Sequence, residues 1–420
     1  MRTGIVNSRN IRDVKKLWSY CFADTPEFKD YYFANRYRQE KNLITTDDRE
    51  KVQASLQLSP YVLQVDGVSK DVNYVVGVCV QPESRGKGYS TAIMKDTLNY
   101  QYRNDEDVSI LMPIDTEIYT RYGYTNCFYR YDFSVDLINI RAGKTCCEVR
   151  RAELEELVSD ASDKKAPDED ILVIAAQMSE FYHSNIVDKY SYIKRDRQYF
   201  INRLEELSVD GGELFLSYDE GVISGYMMLL PKYSQGHAMV PEMMFRDKDA
   251  FNSLMSIIKS HITQFRTADI VTPQHELFNL FIKYDNKYKV SKKSFMMVRI
   301  INARNILCEI LRRNPGIRQI GPFMIEIEDS VIEDNNFTET FDFSDEASAE
   351  AEKSRGGIPF MRLDISDLAS LYMKSSNIDH LERAGRIKFE SEHDRSFFSD
   401  LFGNEIRESY INDYILIMMR

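Results

Sequence analysis

Seven consecutive residues, Arg85-Gly86-Lys87-Gly88-Tyr89-Ser90-Thr91, have the types and spacing that hold phosphate. Two glycines let the backbone close around oxygen atoms, and two cations add charge. The helical pattern that follows offers free N–H groups in its first turn. Ile93, Met94, Thr97 and Leu98 recur at helical spacing and predict a helix packed on a sheet. Before the loop, Val75 to Val80 form an apolar, β-branched run, so strand, basic glycine loop and helix follow in order. The loop is not a Walker sequence, nor a G-x-G-x-x-G with an acidic residue at ribose distance. Taken alone, its R-G-x-G equally describes a turn between strand and helix. A second candidate is the run Ile118-Tyr119-Thr120-Arg121-Tyr122-Gly123-Tyr124. A phenol there can pass a proton to a leaving group. Aromatic residues on a strand equally serve as core, so Tyr119, Tyr122 and Tyr124 all stand as candidates.

The elements that must position these residues fall into three stretches. Across 420 residues with 43% hydrophobic and 29% charged side chains, two or three soluble domains are expected. Residues 1–140 read as a mixed α/β domain around the central strand-loop-helix, with a turn at Asp66-Gly67. A helix is expected over Tyr31–Asn42. Residues 141–297 repeat that order of elements, although hardly the residues. Their strands 213–220 and 222–230 form a hairpin, and Arg246-Asp247-Lys248-Asp249 stands where the phosphate loop would be. It has no glycine, and its two carboxylates repel phosphate, so one anion site per chain is expected. Residues 298–420 alternate apolar and polar positions as one-sided strands do, and read as a small α+β domain with Ser366 capping a helix. Residues 159–170 and 344–357 read as solvated loops.

Composition excludes several classes. A net charge of −12 argues against a general nucleic-acid or anionic-membrane surface, and no run is long and apolar enough to span a membrane. The N-terminal residues lack the apolar core of a signal peptide, and the six cysteines contain no C-x-x-C pair, so a cytoplasmic protein is expected. The six histidines show no ligand-like spacing, and no metal is expected. Asp24 and Glu27 read as the solvated start of a helix rather than an acidic pocket.

The longer string Val78-x-Val80-x-Pro82-x-x-Arg85-Gly86-x-Gly88 resembles the acetyl-CoA signature of the GNAT N-acetyltransferases, with Ser90 at the final small position. The resemblance implies that Val78, Cys79 and Val80 lie on a splayed strand whose amides face pantetheine. It makes Arg85, Gly86, Lys87, Gly88, Tyr89, Ser90 and Thr91 the pyrophosphate cradle. Tyr119, four residues before Gly123, takes the place of the tyrosine beside the thioester sulfur. A GNAT domain, a degenerate second copy and a sterol-carrier-protein-like tail together resemble the enhanced intracellular survival (Eis) family across essentially the whole chain. That resemblance implies an acetyl-CoA-dependent N-acetyltransferase acting on a primary amine of a cationic small molecule, aminoglycosides among them, and a homohexamer. It implies that Ile114 and Asp115 line the coenzyme pocket, that Tyr119 is general acid, and that the carboxylate of Arg420 is general base. Other readings are a protein lysine or polyamine acetyltransferase, and a non-catalytic protein that binds an acyl or lipid ligand.

Overall fold

Asp66 and Gly67 both take positive φ, 48° and 81°, which matches the twist of a tight hairpin. They fold β3 (Val52–Val65) back as β4 (Val68–Val80), the strand that leads into the glycine loop. The computed structural model describes residues 1–141, 143–154, 169–232, 236–282, 288–313, 321–342 and 357–412. The first unit runs β1 (Arg2–Ile5), α1 (Ile11–Cys21), α2 (Pro26–Tyr31), β2 (Asn42–Thr46), β3, β4, α3 (Tyr89–Arg103), β5 (Val108–Leu111), α4 (Thr116–Thr120) and β6 (Thr125–Asp136). The helix expected over Tyr31–Asn42 is broken. A π turn at Tyr32–Arg36 and a short 3-10 turn at Gln39–Lys41 replace it, as the aromatic rings of this stretch pack inward together.

The second unit runs β7 (Glu148–Ala152), α5 (Glu169–Asn185), β8 (Ser191–Ile193), α6 (Arg197–Val209), β9 (Glu213–Asp219), β10 (Val222–Lys232), β11 (His237–Phe245), α7 (Lys248–Ser260), β12 (Thr267–Val271), α8 (His275–Phe281) and β13 (Lys289–Ile300). The expected β9–β10 hairpin forms, with Glu220 and Gly221 at positive φ. The C-terminal part has α9 (Ala303–Arg313), β14 (Phe323–Glu328), β15 (Phe337–Phe341), β16 (Phe360–Asp364), α10 (Ile365–Tyr372), α11 (Ile378–Arg383), α12 (Glu392–Phe402) and β17 (Ser409–Tyr410). Asp364, not Ser366, caps α10, its carboxylate accepting from the Ser366 N–H at 2.8 Å. Most of the stretches expected to be loops, 159–170 and 344–357, lie outside the described residues.

The architecture is that of two GNAT-like mixed-sheet halves followed by a sterol-carrier-like α+β domain. The two halves share one sheet, ordered β1-β2-β3-β4-β5-β13-β6-β12-β11-β10-β9-β7. Hydrogen bonds cross both of the boundaries expected, near residues 140 and 297. β13 lies between β5 and β6, with Met297 opposite Leu111 and Lys289 opposite Ser134. β6 in turn lies against β12, with Asp136 opposite Thr267. Each half thus gives its last strand to the other. No helix among the described residues is long and apolar enough to cross a membrane.

The sterol-carrier-like domain is pinned to this junction by one buried ion pair. Arg299 on β13 donates through Nη2 to both oxygens of Asp329, at 2.7 and 2.6 Å, and neither side chain is exposed. Arg299 Nε also donates to the Tyr122 carbonyl, while Asp329 accepts from the N–H groups of Val331 and Ile332. Removing one partner of such a pair strands a charge in the interior, at a cost of about 3–5 kcal/mol. Asp329→Ala is therefore expected to lower the denaturation midpoint strongly, and Asp329→Asn less, as read by urea unfolding.

Candidate active site

β4 and β5 run parallel and pair at Asn73/Ser109, Tyr74/Ile110 and Val75/Leu111. There β5 ends, while β4 continues to Val80 with a partner strand on its β3 side alone. Past Val75, the edge of β4 that faced β5 offers backbone groups that no described strand takes up. Those groups must find another partner, such as an extended ligand lying along the strand. Val78 and Val80 are half-buried on this stretch, and Cys79 is buried. The register shifts between Ser55 and Gln57 of β3, so β4 bulges around Gly77.

Gly77 has φ 65°, and a Cβ there would stand 2.3 Å from Cζ3 of Trp18. The ring of Trp18 is thus seated on the bulge. Its indole N–H donates to Asp24 Oδ2 at 2.8 Å, and the ring stacks on Tyr32 with centroids 4.8 Å apart. Tyr32 then donates to Gln57 Oε1 at 2.8 Å, on the strand opposite the bulge. Asp24 is buried, contrary to the expected solvated helix start, because its indole partner draws it beneath the aromatic cluster. Its other oxygen has no hydrogen-bond partner among the described residues, and burial raises the pKa of the carboxyl. Glu27 is exposed, as expected.

After Pro82–Ser84 the loop is tied down through Ser84, which donates to Gln53 Oε1 at 2.6 Å. Arg85, Gly86, Lys87 and Gly88 themselves are exposed. Gly86 and Gly88 take φ 74° and 85°, a conformation that L side chains rarely adopt. Gly88 is the N-cap of α3, and no side chain caps that helix. The first backbone bond into α3 is from Ala92 N–H to Gly88 O, which leaves the amides of Tyr89, Ser90 and Thr91 free for an anion.

The three tyrosines separate by their partners. Tyr124 shares a 2.8 Å hydrogen bond with Ser109, and Tyr122 donates to Thr91 Oγ1 at 3.4 Å, both fully buried. Tyr119, on α4, is 6% exposed and its hydroxyl makes no hydrogen bond to another described residue. Burial raises its pKa, so the phenol keeps its proton at neutral pH and can donate it. Asp115 caps α4, accepting from the Glu117 N–H at 3.0 Å, so it orients the helix that carries Tyr119. Ile114 is 82% exposed beside it. Arg420 lies outside the described residues. The last of those, Asn412, is buried in the second unit, where it donates to the Pro241 carbonyl at 2.7 Å.

The second unit shows the same frame closed. β11 pairs with β12 only as far as Val240/Ile270 and then runs on to Phe245. The Gln274 side chain fills that gap, accepting from Phe245 N–H at 2.9 Å and donating to Phe245 O at 2.6 Å. The helix that follows, α7, is capped by Asp247, whose Oδ1 accepts from both Asp249 and Ala250 N–H. A carboxylate and a carboxamide of the chain itself thus hold the places that the first unit leaves open. Gln274, Trp18 and Gly77 carry no local sequence signal, since each acts through a partner distant in the chain.

Among the described residues one group has metal-like spacing: His275, Glu276 and Glu408, within 4.8 Å of one another. The sequence could not show it, because Glu408 arrives from the far end of the chain. Lys189 already sits 3.0 Å from Glu408, and His275 Nε2 is 3.2 Å from each glutamate, so both carboxylates have partners within the chain. Against the cost of its burial, the hydrogen bond with His275 and the Lys189 ammonium hold the Glu408 carboxyl down to about 2.

Residues 5–127 match the acetyltransferase (GNAT) domain family, and residues 301–408 the sterol carrier protein domain family. These matches, with the fold, define an N-acetyltransferase of the GNAT type carrying a sterol-carrier-like domain. Over the whole length the chain is similar to a GCN5-related N-acetyltransferase from Anabaena variabilis (16% identity, 97% of this chain and 98% of that one, TM-score 0.73). A GCN5-related N-acetyltransferase from Kribbella flavida is similar too (18%, 98% and 98%, 0.70), as is Eis1 from Mycobacterium abscessus (14%, 97% and 98%, 0.66). At these identities the likeness is one of fold. No curated protein matches the chain.

Two outcomes test the site. Gly88→Asp would set a carboxylate against the anion and force a strained φ on a side chain, and it is expected to abolish acyl-CoA binding in a folded protein, measured by calorimetry. The wild-type titration is expected to saturate at one acyl-CoA per chain, because Gln274 and Asp247 close the second frame. A second site would show that they do not.

Proposed function

We propose that this chain transfers an acetyl group from acetyl-CoA directly to a primary amine of a cationic small molecule, as an Eis-like acetyltransferase. The observation that carries the proposal is the open edge of β4. It runs from the uncapped N-terminus of α3 toward the core in which Tyr119 lies with an uncommitted hydroxyl. The thioester of the coenzyme supplies an activated carbonyl, and everything else is the work of this chain's residues. The α3 amides, with Arg85 and Lys87, hold the pyrophosphate. The free amides around Val78 and Val80 orient the pantetheine arm and offset the negative charge that develops on the carbonyl oxygen. Tyr119 gives its proton to the departing thiolate, and the attacking amine gives up its own proton to a base, the role proposed for the Arg420 carboxylate.

A cationic acceptor suits the other side of β4. Trp18, Phe22, Tyr32 and Phe33 form an aromatic wall there, with ring centroids 4.6 to 5.7 Å apart in the Trp18 contacts. Behind it the Asp24 carboxylate keeps one unsatisfied oxygen. Phe22 and Phe33 are the half-buried rings of this wall, and the Lys15 ammonium lies 5.1 Å over the Phe33 ring, as an acceptor ammonium would. The likeness to Eis1 in fold extends through the sterol-carrier-like domain and supports the Eis-like reading.

Tyr119→Phe is expected to lower kcat about 100-fold, the low end for loss of a general acid, while the KM for acetyl-CoA stays unchanged. Tyr122→Phe should leave kcat within about twofold, since its hydroxyl is already bonded to Thr91. Release of free thiol across a panel of polyamines, aminoglycosides and lysine peptides reads both effects and ranks the acceptors. Equal losses in the two variants would remove Tyr119 from its role.

A further inference from the structure

Tyr129 and Tyr131 are two residues apart on β6 and so share one face of the sheet, and Lys292 stands directly opposite Tyr131 on β13. The Lys292 ammonium lies 4.5 Å from the centre of the Tyr129 ring and 5.6 Å from that of Tyr131. The Tyr131 ring is stacked on His275, with centroids 3.8 Å apart and planes 9° from parallel. These groups line a cavity of about 320 Å³. The rest of its wall comes from the C-terminal part of the chain, through His380 on α11 and residues 406–410, which end in β17. All three parts of the chain therefore meet at one cavity, whose volume is at the lower end of the range for small-molecule sites. In the sheet, β5 and β13 separate β6 from β4, so the cavity floor is about 14 Å from the open edge of β4.

Charge in this cavity is unequal. Five basic residues line it, against one carboxylate, Glu408. Three of the five are already matched. Lys189 has Glu408 at 3.0 Å and Glu276 at 3.7 Å, His275 has both glutamates at 3.2 Å, and Arg407 lies 2.7 Å from Glu405. Lys292 and His380 are not matched: neither has a carboxylate within 4.0 Å or a side-chain hydrogen bond among the described residues. Lys292 rests over the π faces of the two tyrosines instead, a partner that a full negative charge outbids. This imbalance stands out in a chain whose net charge is −12.

We propose that this cavity binds a small organic anion, a phosphate or a carboxylate carried on an apolar ring. Lys292 and His380 hold the anionic group, the ammonium by charge and the imidazole by an N–H, which it keeps in either protonation state. The ring lies against Tyr129, with Pro273 and Ile406 on the walls beside it. A cationic ligand is disfavoured, because the one carboxylate that lines the cavity is already paired with Lys189 and His275. Since residues 406–410 form part of the wall, a bound anion ties them to the sheet.

Phenyl phosphate, benzoate, inorganic phosphate and benzyl alcohol are titrated into the full-length protein by calorimetry, with desulfo-CoA present to keep the probes out of the pyrophosphate cradle. Phenyl phosphate or benzoate is expected to bind once per chain with a Kd of about 1 mM or tighter, and the better of the two identifies the anionic group. Benzyl alcohol, the uncharged analogue, should not bind, and inorganic phosphate should bind about tenfold more weakly than phenyl phosphate. Lys292→Glu is expected to abolish binding, Lys292→Arg to keep it, and His380→Ala to weaken it about tenfold. Amide hydrogen exchange across residues 406–410 should slow when the better probe is bound. Absence of binding by both ring-bearing anions overturns the proposal, as does equal binding to Lys292→Glu or protection confined to other residues. Benzyl alcohol binding as tightly as the anions overturns the part given to charge, and inorganic phosphate matching phenyl phosphate overturns the part given to the ring.

Discussion

Two parallel strands that pair for three residues and then part create a demand for hydrogen bonds that the fold does not meet by itself. β4 and β5 part after Val75 and Leu111, and the rest of the first unit is arranged around that opening. β5 can end early because its other edge is secured by β13. β4 can continue alone because β3 holds it along nearly its whole length. The bulge at Gly77 redirects the exposed edge, and the Trp18 ring prevents the bulge from relaxing into a regular strand. β3 and β13 hold the far edges of β4 and β5, so the opening between the two strands stays lined by backbone.

The second unit is a control written into the same chain. Its strands part in the same way, yet Gln274 spans the gap with the donor and acceptor that an amide-bearing ligand would otherwise present. Asp247 does likewise for the helix amides. The difference between a binding site and a filled interior is therefore small in residues and large in consequence: two polar side chains in place of glycines and open space. Such replacement also satisfies buried polar groups that would otherwise destabilise the half, which explains how it can keep its shape while lacking the glycine loop.

What could be read from the sequence was what local order decides. The glycine loop announces itself because φ above zero and helix-start amides need those residues in that order, and Tyr119 is placed by its spacing to Gly123. The hairpins at Asp66-Gly67 and Glu220-Gly221 are equally local. The burial of Asp24 was not legible, since a carboxylate before a helix is ordinarily solvated and only the Trp18 indole reverses this. Nor was the Asp364 cap, which stands two residues ahead of the serine that looked suited to it. The knot of His275, Glu276 and Glu408 joins residues from two domains, and no spacing rule spans that distance. The exchange of β6 and β13 lies furthest from sequence reasoning, because both strands look as if they finish the unit in which they occur.

That exchange also sets a timetable for the nascent chain. When β5 and β6 leave the ribosome, the strand that must lie between them has not been made. It emerges only after the whole second unit, roughly 8–30 s later at ordinary rates of synthesis. During that interval the far edge of β5 and both edges of β6 are bare and rich in aromatic and β-branched residues, the composition that invites pairing with a stranger. β6 carries Arg130, Asp132 and Asp136 among its apolar positions. Before they become parts of a finished sheet, those charges guard an unfinished one.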